Sequence, residues 1–105
     1  MADVGLNILV KDGNFGYFPA EGRTTQSVSH VHLKHGDTIT WKFGSDFTIH
    51  FDQITPLHHV EYHGDADTPV SDTVRHNADP GVYKYTVVVE ADGRLKLDDP
   101  DIIID

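Results

Sequence analysis

The sequence predicts a small all-β fold, a sandwich or barrel of about seven strands. Three observations lead to this prediction. Apolar residues recur at every second position in several segments, no segment keeps a helical period, and turn-forming residues separate the segments about every ten residues. Because the chain has 105 residues, 38% of them hydrophobic and 24% charged, we expect residues 1–105 to form a single domain.

The first predicted strand is the stretch from Val4 to Val10, where apolar residues alternate with smaller or polar ones. A turn is predicted at residues 12–16. The aromatic stretch that follows is predicted to be a loop or an edge strand, because Pro19 has no backbone N–H to donate to a sheet.

Three segments in the middle of the chain are also predicted from alternation. Residues 27–34 would place Val31 and Leu33 on one face and His30 and His32 on the other. Residues 38–43 and 47–52 carry inward aromatic stripes and are predicted to pair as a hairpin. Between residues 53 and 80 the pattern dissolves into a histidine-rich, acidic stretch with one short strand near 70–74.

The last third of the chain shows the clearest pattern. From residue 82 to residue 90, two tyrosines and two valines occupy the positions predicted to face inward. The turn at Asp92-Gly93 predicts a hairpin into residues 95–97, and the apolar run Ile102–Ile104 predicts a final short strand.

Composition excludes several classes of function. Asp and Glu number 17 against 8 Lys and Arg, giving a net charge of -9 with neutral histidines, so a nucleic-acid backbone would be repelled. No apolar run approaches the roughly 20 residues that span a bilayer, so no membrane insertion is expected. The chain is therefore expected to be soluble: cytoplasmic as given, or periplasmic if a signal peptide has been removed. The lack of cysteine excludes thiol catalysis, iron-sulfur clusters and thiolate-bound metals.

Two short motifs resemble the cupredoxin family. Residues His35–Trp41 read HGDTITW and are similar to its x-G-D-x-V-x-W strand entry, and residues Asp79–Tyr85 read DPGVYKY and are similar to its x-P-G-x-Y-x-Y strand. The motifs occur in the family's order, and the resemblance covers residues 28–89. It implies a cupredoxin-like Greek-key β-sandwich of about this length.

The resemblance also implies where copper ligands would lie. The family has a cysteine shortly after the second motif, followed by a histidine and usually a methionine, whereas this chain has Val87 followed by Val-Val-Glu. The family's first histidine ligand follows the tryptophan, and the candidate here is His50, which alternation places on the outer face. A blue-copper electron carrier is therefore excluded, since its thiolate ligand is missing.

Histidine is the unusual residue of this chain, with eight copies. The first candidate metal site is the run from residue 58 to residue 63, which contains His58, His59, Glu61 and His63. His59 and His63 would share a face in a helical turn, and Glu61 would join them if the run were extended.

Two weaker metal candidates come from other strands. His30 and His32 would point the same way about 6.5 to 7 Å apart. His50 is the third candidate and has Asp52 two positions further on. Imidazole and carboxylate donors suit divalent copper, nickel or zinc, and no other cofactor is expected.

Two functions are consistent with these features. The first is a non-catalytic small binding module that binds Cu, Ni or Zn through its surface histidines. The alternative is a structural or protein-interaction domain without metal, in which Phe15, Tyr17 and Phe18 or an exposed strand edge contacts a protein partner or a second copy. In that case the histidines, which titrate near pH ~6.5, could make the protein pH-responsive. No enzymatic activity is expected, because no serine lies in a recognisable nucleophile motif.

Overall fold

A computed structural model describes residues 2–11, 14–19, 30–91 and 93–105. Within these ranges the protein consists of strands and turns without a helix, so the predicted all-β class is confirmed and no helix there could cross a membrane. The strands are β1 Asp3–Lys11, β2 Asn14–Pro19, β3 His30–Leu33, β4 Thr38–Lys42, β5 Phe47–His50, β6 Glu61–Gly64, β7 Val70–Thr73, β8 Gly81–Lys84, β9 Thr86–Ala91, β10 Arg94–Asp98 and β11 Asp101–Ile104.

These strands form the two layers of a β-sandwich. The first layer is the sheet β2-β1-β4-β7, and the second combines the sheets β10-β9-β5-β6 and β3-β11-β8. Only Tyr85 separates β8 from β9, and only Asp99 and Pro100 separate β10 from β11, so the second layer is built on one long hairpin. Pro100 interrupts this hairpin because it has no N–H. Such interruptions raise the number of strands in the described residues to eleven, against about seven predicted.

The chain crosses between the layers at Gly44–Asp46, and the predicted hairpin of residues 38–52 is wrong. Strand β4 pairs with β1 and β7, whereas β5 pairs with β6 and β9 in the other layer. The two aromatic stripes therefore face each other across the interior. Phe43 and Phe47 meet edge to face there, with ring centres 6.2 Å apart.

Alternation assigned the inward residues correctly. Trp41 is fully buried, packs edge-on against Tyr85 at 5.4 Å, and donates its indole N–H to the Tyr85 hydroxyl at 3.2 Å. Both layers contribute to one apolar core, whose largest fully buried side chains are Trp41, Tyr17, Phe51, Leu6, Ile8, Leu33, Ile39, Ile49, Leu57, Ile102, Ile104 and Val74.

The motif His35–Trp41, which resembles a cupredoxin motif, begins with a turn that ties the start of β1 to β4. Gly36 has a φ of 84°, a conformation that glycine adopts without strain. The Asp37 carboxylate accepts the backbone N–H groups of Ala2 and Lys34, each at 2.9 Å. These two hydrogen bonds, led by the one from Ala2, hold the pKa of Asp37 below its usual value.

The segment predicted to be a loop or an edge is the edge strand β2, where Pro19 lies opposite Leu6. Tyr17 is buried here and donates its hydroxyl to the Asp98 carboxylate at 2.6 Å. Phe15 and Phe18 are half-buried beside it. Tyr17 therefore belongs to the core, and Phe15 and Phe18 are the more exposed aromatic residues of the segment predicted to contact a partner.

A candidate histidine and carboxylate site on the outer face

The outer face of the second layer carries four of the candidate histidines. The inward positions of β3 and β5 are apolar and buried, so His30, His32 and His50 point outward between them. His63 points outward from β6, where it lies opposite Thr48. The next pair on the same face of this ladder is His50 and Glu61.

Glu61 joins two imidazoles that come from neighbouring strands. Its Oε1 lies 3.4 Å from Nδ1 of His50, and its Oε2 lies 3.1 Å from Nε2 of His63. We refer to His50, Glu61 and His63 as the shared-carboxylate site. Both rings converge on one carboxylate because β5 and β6 are antiparallel and in direct register.

Each imidazole of the shared-carboxylate site has a second partner at its other nitrogen. Nδ1 of His63 lies 3.0 Å from Oγ1 of Thr48, and Nε2 of His50 lies 3.4 Å from Oδ1 of Asp52. The hydrogen bond to Thr48 orients the His63 ring, Asp52 lies near the outer nitrogen of His50, and the remaining nitrogen of each ring faces Glu61.

The two rings differ in their exposure to solvent. The His50 side chain is 38% exposed, whereas that of His63 is 70% exposed. Nδ1 of His50 is shielded from solvent and forms no hydrogen bond with any described residue, leaving the Glu61 oxygen 3.4 Å away as its ion-pair neighbour. A ligand between these groups would supply the partner that this nitrogen lacks.

The sequence prediction treated residues 58–63 as one set of metal donors, but the structure places their side chains in different surroundings. Nε2 of His58 lies 3.2 Å from the Thr73 hydroxyl, and the His59 ring packs against Tyr62 at 5.8 Å. Tyr62 is half-buried and alternates with the outward Glu61 and His63 on β6. The strand begins only at residue 61, so neither the helical nor the fully extended arrangement of this run is formed.

Tyr62 and Asp72 form a separate polar cluster beside these two histidines. The Tyr62 hydroxyl donates to the Asp72 carboxylate at 2.5 Å, and the backbone N–H of His58 donates to the same oxygen at 3.2 Å. Burial, followed by the hydrogen bond to Asp72, raises the pKa of Tyr62 above 10.0. Burial alone would raise the pKa of Asp72, but the hydrogen bonds from Tyr62, Thr73 and His58 lower it.

His30 and His32 point the same way, as predicted, but each contacts a different carboxylate. Asp101 is flanked by Nδ1 of His30 at 2.8 Å and by the Lys84 ammonium at 3.1 Å. Nδ1 of His32 lies 3.1 Å from the Asp105 carboxylate. The two histidines therefore contact separate carboxylates and do not converge on one point.

No three His, Asp or Glu side chains within the described ranges are arranged as a ready-made metal centre. At the shared-carboxylate site, the donor atoms contact one another instead of surrounding a common point. An ion could enter only if the Glu61 side chain moved. Since this side chain is half-exposed, it can move without displacing the core.

Sequence spacing missed the contact between His50 and Glu61, since these residues are eleven positions apart. A hairpin register between residues 47–50 and 61–64 would have revealed it. The stretch of residues 51–60 hides that register, because it has no alternation and forms no strand.

Comparisons with known proteins support the fold. No protein-family model and no curated protein matches the chain. Among solved structures, a reduced Cu(I) form of a proline-to-glycine variant of amicyanin at pH 4 matches with a TM-score of 0.55 and 15% identity. An oxidised methionine-to-lysine variant of amicyanin matches with a TM-score of 0.51 and 15% identity. Each match covers 98% of this chain and 82% of the other.

The fold is cupredoxin-like. At 15% identity this similarity establishes the architecture and not an activity.

The residues of this cupredoxin-like sandwich do not fit a blue-copper centre. Val87, at the position where the family's cysteine was expected, is fully buried and faces the core opposite Ile49. His50 points out of the other face of the same sheet. Side chains on opposite faces of one sheet cannot bind one ion, and the chain has no cysteine.

Proposed function

We propose that this protein is a non-catalytic cupredoxin-like binding module that holds one divalent Cu, Ni or Zn ion at the shared-carboxylate site. The observation that carries the proposal is the convergence of two imidazole nitrogens, one from His50 and one from His63, on the Glu61 carboxylate. Two nitrogens and a carboxylate form a donor set suited to these metals.

The contacts around the rings favour this donor set. With Nε2 of His63 as a ligand, its Nδ1–H would donate to Thr48, and with Nδ1 of His50 as a ligand, its Nε2–H would donate to Asp52. A partner at the second nitrogen is the usual feature of histidines that bind metals. Both strands also belong to a four-stranded sheet, so the two rings are held on a rigid frame.

The surroundings of Thr48 support a non-catalytic role. Thr48, His63 and Glu61 form a hydrogen-bonded chain in the order of a hydrolase triad. A hydrolase also needs free N–H groups to stabilise an oxyanion. Strand β5 is central, between β9 and β6, so its backbone N–H groups are used in sheet pairing. The backbone of β5 therefore offers no free N–H group to stabilise an oxyanion beside Thr48.

Calorimetric titration of the untagged protein with Cu(II), Ni(II) and Zn(II) salts tests the proposal. We expect one site per chain with a Kd below about 10 µM for at least one of these metals. His50→Asn, Glu61→Gln and His63→Asn should each weaken binding by about tenfold or more. Binding should also weaken as the pH falls through the range in which free imidazole gains a proton, because only neutral imidazole binds a metal.

Two histidines outside the site provide matched controls. His58→Asn and His30→Asn each remove an exposed imidazole from the same chain, and we expect both variants to bind metal as the unmodified protein does. A Kd weaker than about 10 µM for all three metals would refute the proposal. Equal losses in the control variants would show instead that surface histidines bind metal without a defined site.

A further inference from the structure

Strand β10 places its apolar residues on the outside. Leu95 is 73% exposed and Leu97 is 66% exposed, whereas Lys96 and Asp98, which alternate with them, are half-buried. Asp98 is held on the inner side by the Tyr17 hydroxyl. That contact fixes which face of β10 points inward. The two leucines, on the opposite face, must therefore point to solvent.

A groove of about 380 Å³ lies beside these leucines on the outer face of the same sheet. Leu95 forms one wall, and Thr48 and Val88, which are opposite each other in the β5–β9 ladder, lie along it. Leu97 lies opposite Val88, so the apolar surface continues from the groove onto β10. We refer to this groove, together with Leu95 and Leu97, as the outer groove.

Carboxylates provide the charge of the outer groove. Asp46, Asp65 and Glu90 line it together with His63 of the shared-carboxylate site, and the described residues that line it include no lysine or arginine. Asp46 and Glu90 form no ion pair or side-chain hydrogen bond with any described residue. The groove therefore combines an apolar wall with acidic groups whose charges are not neutralised within the described part of the chain.

We propose that the outer groove is a docking site for another protein that presents a lysine or arginine next to apolar side chains. The basic side chain would enter the groove between Glu90 and Asp46, with its methylene groups along Leu95. The neighbouring apolar side chains would cover Leu97 and Val88. Such an arrangement buries both leucines and brings opposite charges together, which favours a defined orientation.

A second copy of this chain is a poor occupant of the groove. Each chain has a net charge of -9 with neutral histidines, so two copies repel each other. Antiparallel pairing of two β10 strands about their centre would also place Lys96 opposite its own copy, and like charges directly opposite destabilise a sheet. The charge of the groove instead favours a basic partner.

The test uses two fluorescein-labelled decapeptides and the protein in the presence of EDTA. In one peptide leucine and valine alternate with arginine and lysine, and in the other glutamate replaces every basic residue. We expect the basic peptide to bind with a Kd of about 100 µM or tighter at low salt and the acidic peptide to bind at least about tenfold more weakly. Added salt should weaken binding of the basic peptide.

Variants of the protein locate the site. The double variants Leu95→Ser with Leu97→Ser, and Asp46→Asn with Glu90→Gln, should each reduce the affinity for the basic peptide by about tenfold. Leu9→Ser is the matched control, because Leu9 is a 57% exposed leucine on the other layer. All of these side chains are exposed, so thermal unfolding should show that each variant folds like the parent.

Three results would overturn the proposal. They are equal binding of the two peptides, absence of basic-peptide binding at about 1 mM, and an equal loss of affinity in Leu9→Ser. A dimer of the unmodified protein in sedimentation that dissociates in the leucine double variant would assign this face to a second copy and would also overturn it. Because EDTA is present throughout, failure here leaves the metal titration as a separate test.

Discussion

We predict that the folded protein loses stability steeply above pH 10, because three of its tyrosines resist ionisation. The pKa values of Tyr17, Tyr62 and Tyr85 are all raised above the ordinary 10.0, and burial is the largest cause in each case. The carboxylate of Asp98 adds to the effect at Tyr17, and that of Asp72 adds to it at Tyr62. A tyrosinate at any of these positions would be poorly hydrated, and two of them would lie next to a negative charge.

The sign of the effect follows from proton linkage. Above pH 10.0 the unfolded chain releases these phenolic protons while the folded chain retains them, so the free energy of unfolding falls as the pH rises. The stabilising contribution of the protonated tyrosines is fully present below pH 10.0. It is lost as the pH rises from there toward their raised pKa values in the folded protein. Each fully shifted tyrosine costs about 1.4 kcal/mol per pH unit, so Tyr17 and Tyr85 together cost about 2.8 kcal/mol per unit. Tyr62 is half-buried and adds less, because solvent screens it.

Urea unfolding at a series of pH values between about 9 and 11 measures this loss. Trp41 is the single tryptophan of the chain and is buried, so its fluorescence reports unfolding. Tyrosinate absorbance reports ionisation in the same samples. Tyr85→Phe should lower stability by about 2 kcal/mol at neutral pH, because the Trp41 N–H loses its acceptor. The same variant should roughly halve the slope above pH 10 that Tyr17 and Tyr85 produce together.

The reasoning would be refuted if the free energy of unfolding stayed constant, within about 1 kcal/mol, over this range. Ionisation of all the tyrosines near pH 10.0 in protein that remains folded would refute it equally.

Two further predictions concern the backbone. Asp37→Asn should lower stability by about 1 kcal/mol at neutral pH, measured by urea unfolding. Because the pKa of Asp37 is depressed, its contribution to the parent should be present above the ordinary value of 3.8, and the difference in stability between parent and variant should disappear as the pH falls below that value. Gly64→Ala should lower the melting temperature by several degrees, because a Cβ there would lie 2.5 Å from the Phe47 ring and 2.8 Å from a backbone oxygen. Gly44→Ala is the matched control and should leave the melting temperature nearly unchanged, since a Cβ there meets nothing within 4 Å.

Alternation in the sequence predicted which face each side chain occupies. From Tyr83 to Val89 all four inward positions are buried, because successive residues of a strand point to opposite faces whatever the neighbouring strand is. The same rule placed His30 and His32 on the outside.

Alternation does not determine which strands pair. Strands β4 and β5 are consecutive and carry similar aromatic stripes, which suggested a hairpin, but they lie in different layers. An apolar stripe is buried equally well beside another stripe or opposite it across a core. The two arrangements therefore have the same sequence pattern.

The candidate site depended on contacts that spacing could not reveal. His58, His59 and His63 are close in sequence, but the chain bends before β6, and their side chains reach different surroundings. His50 and Glu61 are far apart in sequence and meet through strand register. Spacing arguments assume one regular conformation throughout a segment, and residues 58–60 do not have one.

The position of the shared-carboxylate site on the outer face follows from how the core is filled. The inward residues of the two central strands include Ile49 and Val87, which are fully buried and lie opposite each other. A polar ligand set in their place would require desolvated imidazoles and would leave the closely packed interior with a cavity. The outward positions of β5 require neither desolvation nor a cavity, because Thr48 and His50 remain partly hydrated there. The sheet beneath still holds them in register with β6. Polar binding chemistry in this sandwich is therefore most easily accommodated on the sheet surface, and the interior serves to keep that surface rigid.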